Sequence, residues 1–188
     1  MRTETTTRTL YQFSELSDKA KQRAIEKLCD INTDFDWWEF TYETITTAAR
    51  CLGIVCRVEG FDLDRGQSIE LRGGYSYRKG WRAALAHEFG GDTLAALVKI
   101  GEELQSAQRR AFYCASIDLS PVRHGTAYTV YSKFGAYVTD DLMDALRSFE
   151  HWALTLLRRE YDYLTSEEAI IETIEANEYE FDENGNLA

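Results

Sequence analysis

Proline is almost missing from this sequence, one residue in 188, and the twelve glycines build no low-complexity tract. That composition excludes linker-rich, collagen-like and low-complexity chains, and no internal repeat is visible. No apolar run approaches the roughly 20 residues needed to cross a bilayer. The stretch from Met1 to Thr9 is polar and Thr-rich, without an apolar segment of signal-peptide type, so a cytoplasmic protein with no membrane partner is expected. Cys29, Cys51, Cys56 and Cys114 show no CxxC spacing and read as small reduced core residues. His87, His124 and His151 lack HxH or HxxxH spacing, and no G-x-S-x-G, P-loop or G-x-G-x-x-G motif occurs. Carboxylates are too abundant for any pair to stand out as an acid and base. The residues therefore point to no catalytic set, metal or cofactor. A non-enzymatic role is expected, with an enzyme whose site is gathered only by folding as the outlying reading.

Basic residues are missing from one region altogether. The last of them is Arg159, and between Glu160 and Glu183 ten residues are acidic. Nearly all of the net charge of −11 thus lies in one continuous piece. Such a balance argues against a general nucleic-acid binder, which needs cationic surface to displace counterions. It favours a basic partner steered by charge.

What is present suits one domain, 1–188, of α+β class. The expected fold is a small antiparallel sheet of about four strands packed with about five to six helices. Thr9, Tyr11 and Phe13 alternate in a possible first strand from Thr7. Ser17 is placed to cap a helix running to about Ile31. Asp34 is expected to cap a second helix, with Phe35, Trp38, Tyr42, Ile45, Ala49 and Leu52 on one stripe and Gly53 in the left-handed position at its end. Trp37 and Phe40 fall outside that stripe; packing on the neighbouring helix is expected, with an exposed aromatic patch as the alternative. Ile54–Glu59 and Gln67–Arg72 alternate as a hairpin about Asp62–Gly66. This turn only superficially resembles a calcium loop, because Gly66, Gln67 and Gly73 stand where that loop needs a ligand, a glycine and a bidentate glutamate. Helices are expected near Gly80–Phe89 and from Asp92 or Thr93, the latter carrying Leu94, Leu97, Leu104, Ala111 and Phe112. Gly101 inside it marks a close approach. Ser116–Val122 and Thr126–Lys133 read as a second hairpin. Thr139 is expected to cap a long helix, Thr165 or Ser166 to restart it, and Tyr179–Phe181 to close the chain as a strand.

Two constellations carry chemistry. The first is the acidic helix, in which Glu168, Glu172 and Glu175 recur at helical spacing while Tyr163, Ile170, Ile171 and Ile174 are expected to gather on the other side. The three carboxylates rise in steps of about 6 and 4.5 Å, and Glu178 and Glu180 extend the row. Such a row can occupy Arg and Lys sites built for nucleic-acid phosphates; a merely solvated face is the plain alternative. The second is Arg72–Arg82, where Arg72, Arg78, Lys79 and Arg82 interleave with Tyr75, Tyr77 and Trp81. That segment could hold a phosphate and stack a base, or its tyrosines could point inward and its cations pair with acids.

Tyr11-Gln-Phe-Ser-Glu-Leu-Ser-Asp-Lys-Ala-Lys-Gln-Arg-Ala-Ile25, Asp34-Phe-Asp-Trp-Trp-Glu-Phe-Thr-Tyr42 and Tyr161–Phe181 resemble a family of small proteins carried by bacteriophages and prophages, often labelled antitoxin-like. The resemblance implies a phage product in a bacterial cytoplasm, where small acidic proteins block host defence nucleases, CRISPR effectors among them, or neutralise toxins. The resulting expectation is an inhibitor that binds a basic host protein or nucleoprotein complex through Glu168, Glu172, Glu175, Glu178 and Glu180. The alternative is a nucleotide- or nucleic-acid-sequestering protein using Arg72, Tyr75, Tyr77, Arg78, Lys79, Trp81 and Arg82.

Overall fold

The computed structural model describes residues 8–132 and 136–188. Its elements in chain order are β1 (Tyr11–Gln12), α1 (Asp18–Lys27), α2 (Glu39–Leu52), β2 (Ile54–Asp62), β3 (Ser68–Ser76), α3 (Trp81–Glu88), α4 (Gly91–Arg110), β4 (Ser116–Val122), β5 (Gly125–Tyr131), α5 (Ala136–Leu164), α6 (Glu167–Ala176) and β6 (Glu180–Phe181). The fold is mixed α+β, with a four-stranded antiparallel sheet, a two-stranded sheet and six α-helices among the described residues. Its contacts fall into two compact units, Trp38–Arg158 and Met1–Trp37 with Arg159–Ala188.

The larger unit is built on the sheet β2-β3-β4-β5. Ile54 pairs with Tyr75 and Asp62 with Ser68, with a bulge between Val58 and Gly60. The second hairpin closes at Val122 opposite Gly125. One face of the sheet supplies Ile69, Leu71, Tyr75, Ile117 and Leu119 to the core, where Ile45, Leu85, Leu97, Leu142, Leu146 and Phe149 of the helices are also buried. Val55 stays exposed, as expected of alternation on a sheet with one solvated face. Gly53 ends α2 with φ 88, and a side chain there would collide with the Ser76 carbonyl. Gly101 lies under the Trp81 ring, 2.2 Å from where its own Cβ would stand. The close approach expected at Gly101 is therefore with the first residue of α3.

The smaller unit joins the two ends of the described chain. β1 and β6 pair with Tyr11 opposite Phe181, and the Phe13 and Phe181 rings meet edge to face at 6.2 Å. Around them Leu16, Ala20, Ala24 and Ile25 from the α1 segment and Ile170 and Ile174 from α6 form one buried cluster. Ser17 caps α1 by accepting from the Ala20 amide at 3.4 Å. Buried Asn32 donates to the Leu164 carbonyl at 3.0 Å and accepts from the Thr173 hydroxyl at 2.7 Å. That side chain ties the loop after α1 to α6.

Several boundaries differ from the sequence expectation. The first strand is two residues long, because the chain turns at Phe13–Glu15 to bury Phe13; Thr7 lies outside the described residues, as does Lys133. α1 stops at Lys27, and Ile31 reaches the core from a turn. α2 begins at Glu39 with Trp38 at its cap position, not Asp34. The chain reverses at Phe35–Trp37, which leaves Phe35 61% exposed and buries Trp37 against Tyr161 at 5.8 Å. Trp37 therefore packs, whereas Phe40 is 83% exposed. α4 ends before Ala111, so Phe112 and Tyr113 take positive φ and Phe112 faces outward. α5 already includes Ala136, ahead of Thr139. Cys29 and Cys114 are exposed instead of belonging to the core.

Candidate functional site

α6 is amphipathic by construction. Ser166 accepts from the Ala169 amide at 3.3 Å and starts the helix, with Glu167 and Glu168 in the first turn, where the helix dipole favours negative charge. Ala169, Ile170 and Ile174 are buried, and Ile171 is half-buried against the same cluster, whereas Tyr163, expected on that side, lies at the end of α5 and is exposed. The opposite face carries Glu168, Glu172 and Glu175, all exposed, followed by exposed Glu178 and Glu180. Among the described residues none of these five carboxylates is in an ion pair with Lys, Arg or His.

Helix stability does not account for this pattern. Glu175 lies in the last turn, where α6 has no basic residue. Negative charge is unfavourable there by roughly 0.3–1 kcal/mol, and like charges four apart repel by a few tenths more. Burial of Ile170 and Ile174, roughly 1.5–3 kcal/mol each, offsets that penalty and holds the row on a fixed backbone. Asp182 does not belong with the others. It accepts from the Asn184 amide at 2.9 Å and from the Asn186 amide and side chain at 2.8 and 2.7 Å. Those bonds, the Asn186 side chain foremost, hold its carboxyl below the usual range.

The basic–aromatic segment has a different arrangement. Tyr75 is buried on β3, and burial pushes its hydroxyl far above the usual phenol range. Trp81 is buried over Gly101 and donates from Nε1 to Gln105 at 3.2 Å. Tyr77 is half-buried, its ring centroid 4.5 Å from that of Tyr113. Arg72 pairs with Glu59 at 2.9 Å, Arg82 pairs with Glu102 and lies over the Trp81 ring, and Arg78 donates to the Arg50 carbonyl. Lys79 is exposed. The structure thus brings these seven residues to one neighbourhood but turns two of the three rings into the core. Three of the four cations are held by the chain's own oxygens.

The three histidines lie apart, on α3, in the β4–β5 turn and on α5, all exposed. In the first hairpin Asp62 accepts from the Asp64 amide at 2.8 Å, an ordinary polar turn. Among the described residues no three His, Cys, Asp or Glu side chains are placed to hold a metal ion. No helix there is long and apolar enough to cross a membrane.

One feature escaped the sequence reading. Glu150 follows Phe149 on α5 and falls four residues after Leu146, next to the buried stripe. It opens with Tyr128 on a cleft of about 500 Å³. A carboxylate beside the apolar side of a long helix was the available signal. Compared with family models, with curated proteins and with solved structures, the chain finds no match in any of the three.

Proposed function

We propose that the chain is a non-enzymatic protein-binding inhibitor whose acidic C-terminal face docks on a cationic, nucleic-acid-binding groove of a partner complex. The observation that carries this reading is the row Glu168, Glu172 and Glu175, exposed and, among the described residues, in no ion pair, on a helix whose other face is core. A held row of carboxylates presents charge at set spacings, which is what bidentate Arg and phosphate-binding Lys sites recognise. Each exposed pair contributes little alone, whereas a desolvated cluster sets on-rate and specificity. The resemblance to phage-borne proteins supplies the setting: a defence nuclease of the bacterial host, with counter-defence as the biological outcome. Nucleotide sequestration by Arg72–Arg82 draws less support, because Tyr75 and Trp81 are core residues.

The test is capture of partners from bacterial lysate by the full chain, before and after nuclease treatment, with the variant Glu168→Lys/Glu172→Lys/Glu175→Lys alongside. A basic protein retained after nuclease by the parent chain and lost by the variant is the expected result. Association should also slow by about 10-fold or more on charge reversal and with rising salt. Equal retention by both chains would sink the proposal.

A further inference from the structure

The cleft on the larger unit lies between the two hairpin turns and α5, with Gln67 on one turn and Met143, Arg147, Glu150 and Leu154 on the helix. Its size, about 500 Å³, falls in the range of small-ligand sites. Two polar atoms in its wall are buried without a hydrogen-bond partner, the Tyr128 hydroxyl and Glu150 Oε1. They lie near enough to perturb each other's protonation, yet neither atom has a well-formed hydrogen bond. Buried polar atoms of this kind carry a desolvation penalty unless something supplies the missing bonds.

The chain's own cation does not supply them. Arg147, one turn before Glu150, donates instead to Asp144 at 2.7 Å, and its guanidinium lies 5.9 Å over the Tyr128 ring. The Thr126 hydroxyl is also committed, donating to the Ile69 carbonyl and accepting from the Leu71 amide. The wall therefore offers a carboxylate oxygen and a phenol oxygen, both able to accept, with an aromatic face beside them. Burial holds the Glu150 carboxyl above the usual range, and the nearby Arg147 charge only partly offsets that. An anion would meet Glu150 and a chain of net charge −11. A cation would complete the bonds and be drawn in by the same field.

We propose that this cleft binds a small organic cation, an alkylamine or alkylguanidinium, whose N–H groups donate to Glu150 Oε1 and Tyr128 Oη. The site shares no residue with the acidic face of α6, so either can fail without the other. Agmatine carries both head groups and is the probe. Met143 lines the cleft and is, with Met1, one of only two methionines in the chain. Its labelled methyl group therefore reports on the cleft in the full-length protein.

Titration with agmatine at neutral pH should shift the Met143 methyl resonance to saturation. Glu150→Gln should weaken binding by about tenfold or more, the effect of losing a charge-assisted bond; Tyr128→Phe should weaken it less. The triple α6 charge reversal should bind agmatine as the parent chain does. A Met143 resonance that stays fixed, or agmatine binding that survives Glu150→Gln and is lost on α6 charge reversal, would overturn the proposal. Should Glu150→Gln fail to fold, the parent-chain titration and Tyr128→Phe still decide it.

Discussion

The two compact units carry charge in opposite ways. The sheet-based unit, Trp38–Arg158, has fourteen basic and fifteen acidic residues, and among the described residues every ion pair of the protein lies there. The unit built from the two chain ends has seven basic and seventeen acidic residues. Neighbouring opposite charges cancel beyond a Debye length, about 8 Å at physiological salt. Unpaired charges of one sign add, and their field reaches further. Two segments that each carry charge of one sign in sequence, Arg72–Arg82 and Glu160–Glu183, therefore differ in what they offer a partner. The first is largely neutralised at home; the second is not.

The most severe way to break this contrast is to remove what holds the acidic row. Ile174→Ala empties a fully buried site between α1 and α6 and is expected to cost about 2–5 kcal/mol in urea-induced unfolding. Partner capture should fall with it, although no carboxylate is touched. In the sheet unit, Gly101→Ala puts a methyl group into the Trp81 ring. It should cost about 1–3 kcal/mol as overpacking and shift tryptophan fluorescence as the ring is driven out. If the basic segment then gains affinity for oligonucleotides, burial of Trp81 was what kept it silent.

Smaller effects sharpen the comparison by pH and salt. Glu150 is a largely buried acid of the larger unit, and burial raises its folded pKa. The folded state then binds more protons than the unfolded one, so this group's contribution is fully present below its unfolded pKa and is lost as pH rises through its folded pKa. Glu150→Gln should therefore stabilise the protein at neutral pH and lose that advantage in acid, read from melting temperatures across the pH range. The least effect on stability belongs to Glu175→Lys. It is expected to raise stability by roughly 0.5 kcal/mol at low salt, by complementing the C-terminal end of α6, with the gain fading as salt rises. That change should still weaken partner binding, which separates helix stability from recognition at a single position.

The sequence by itself determined whatever depends on neighbours close in the chain. Ser17 and Ser166 cap their helices, Gly53 ends α2, both hairpins pair as their alternation requires, and Ile170 and Ile174 separate from the glutamates by helical period. Those outcomes follow from hydrogen bonds and periodicities that span a few residues. Tertiary structure alone decided where partners come from far apart. Trp37 and Phe40 look alike in sequence, yet only Trp37 finds Tyr161, 124 positions later. Arg72, Arg78 and Arg82 could have faced a ligand, but Glu59, the Arg50 carbonyl and Glu102 reach them first. Glu150 and Tyr128 meet only because α5 lies over the second hairpin. Whether a charge or a ring is free depends on which distant group arrives beside it, and local periodicity carries no record of that.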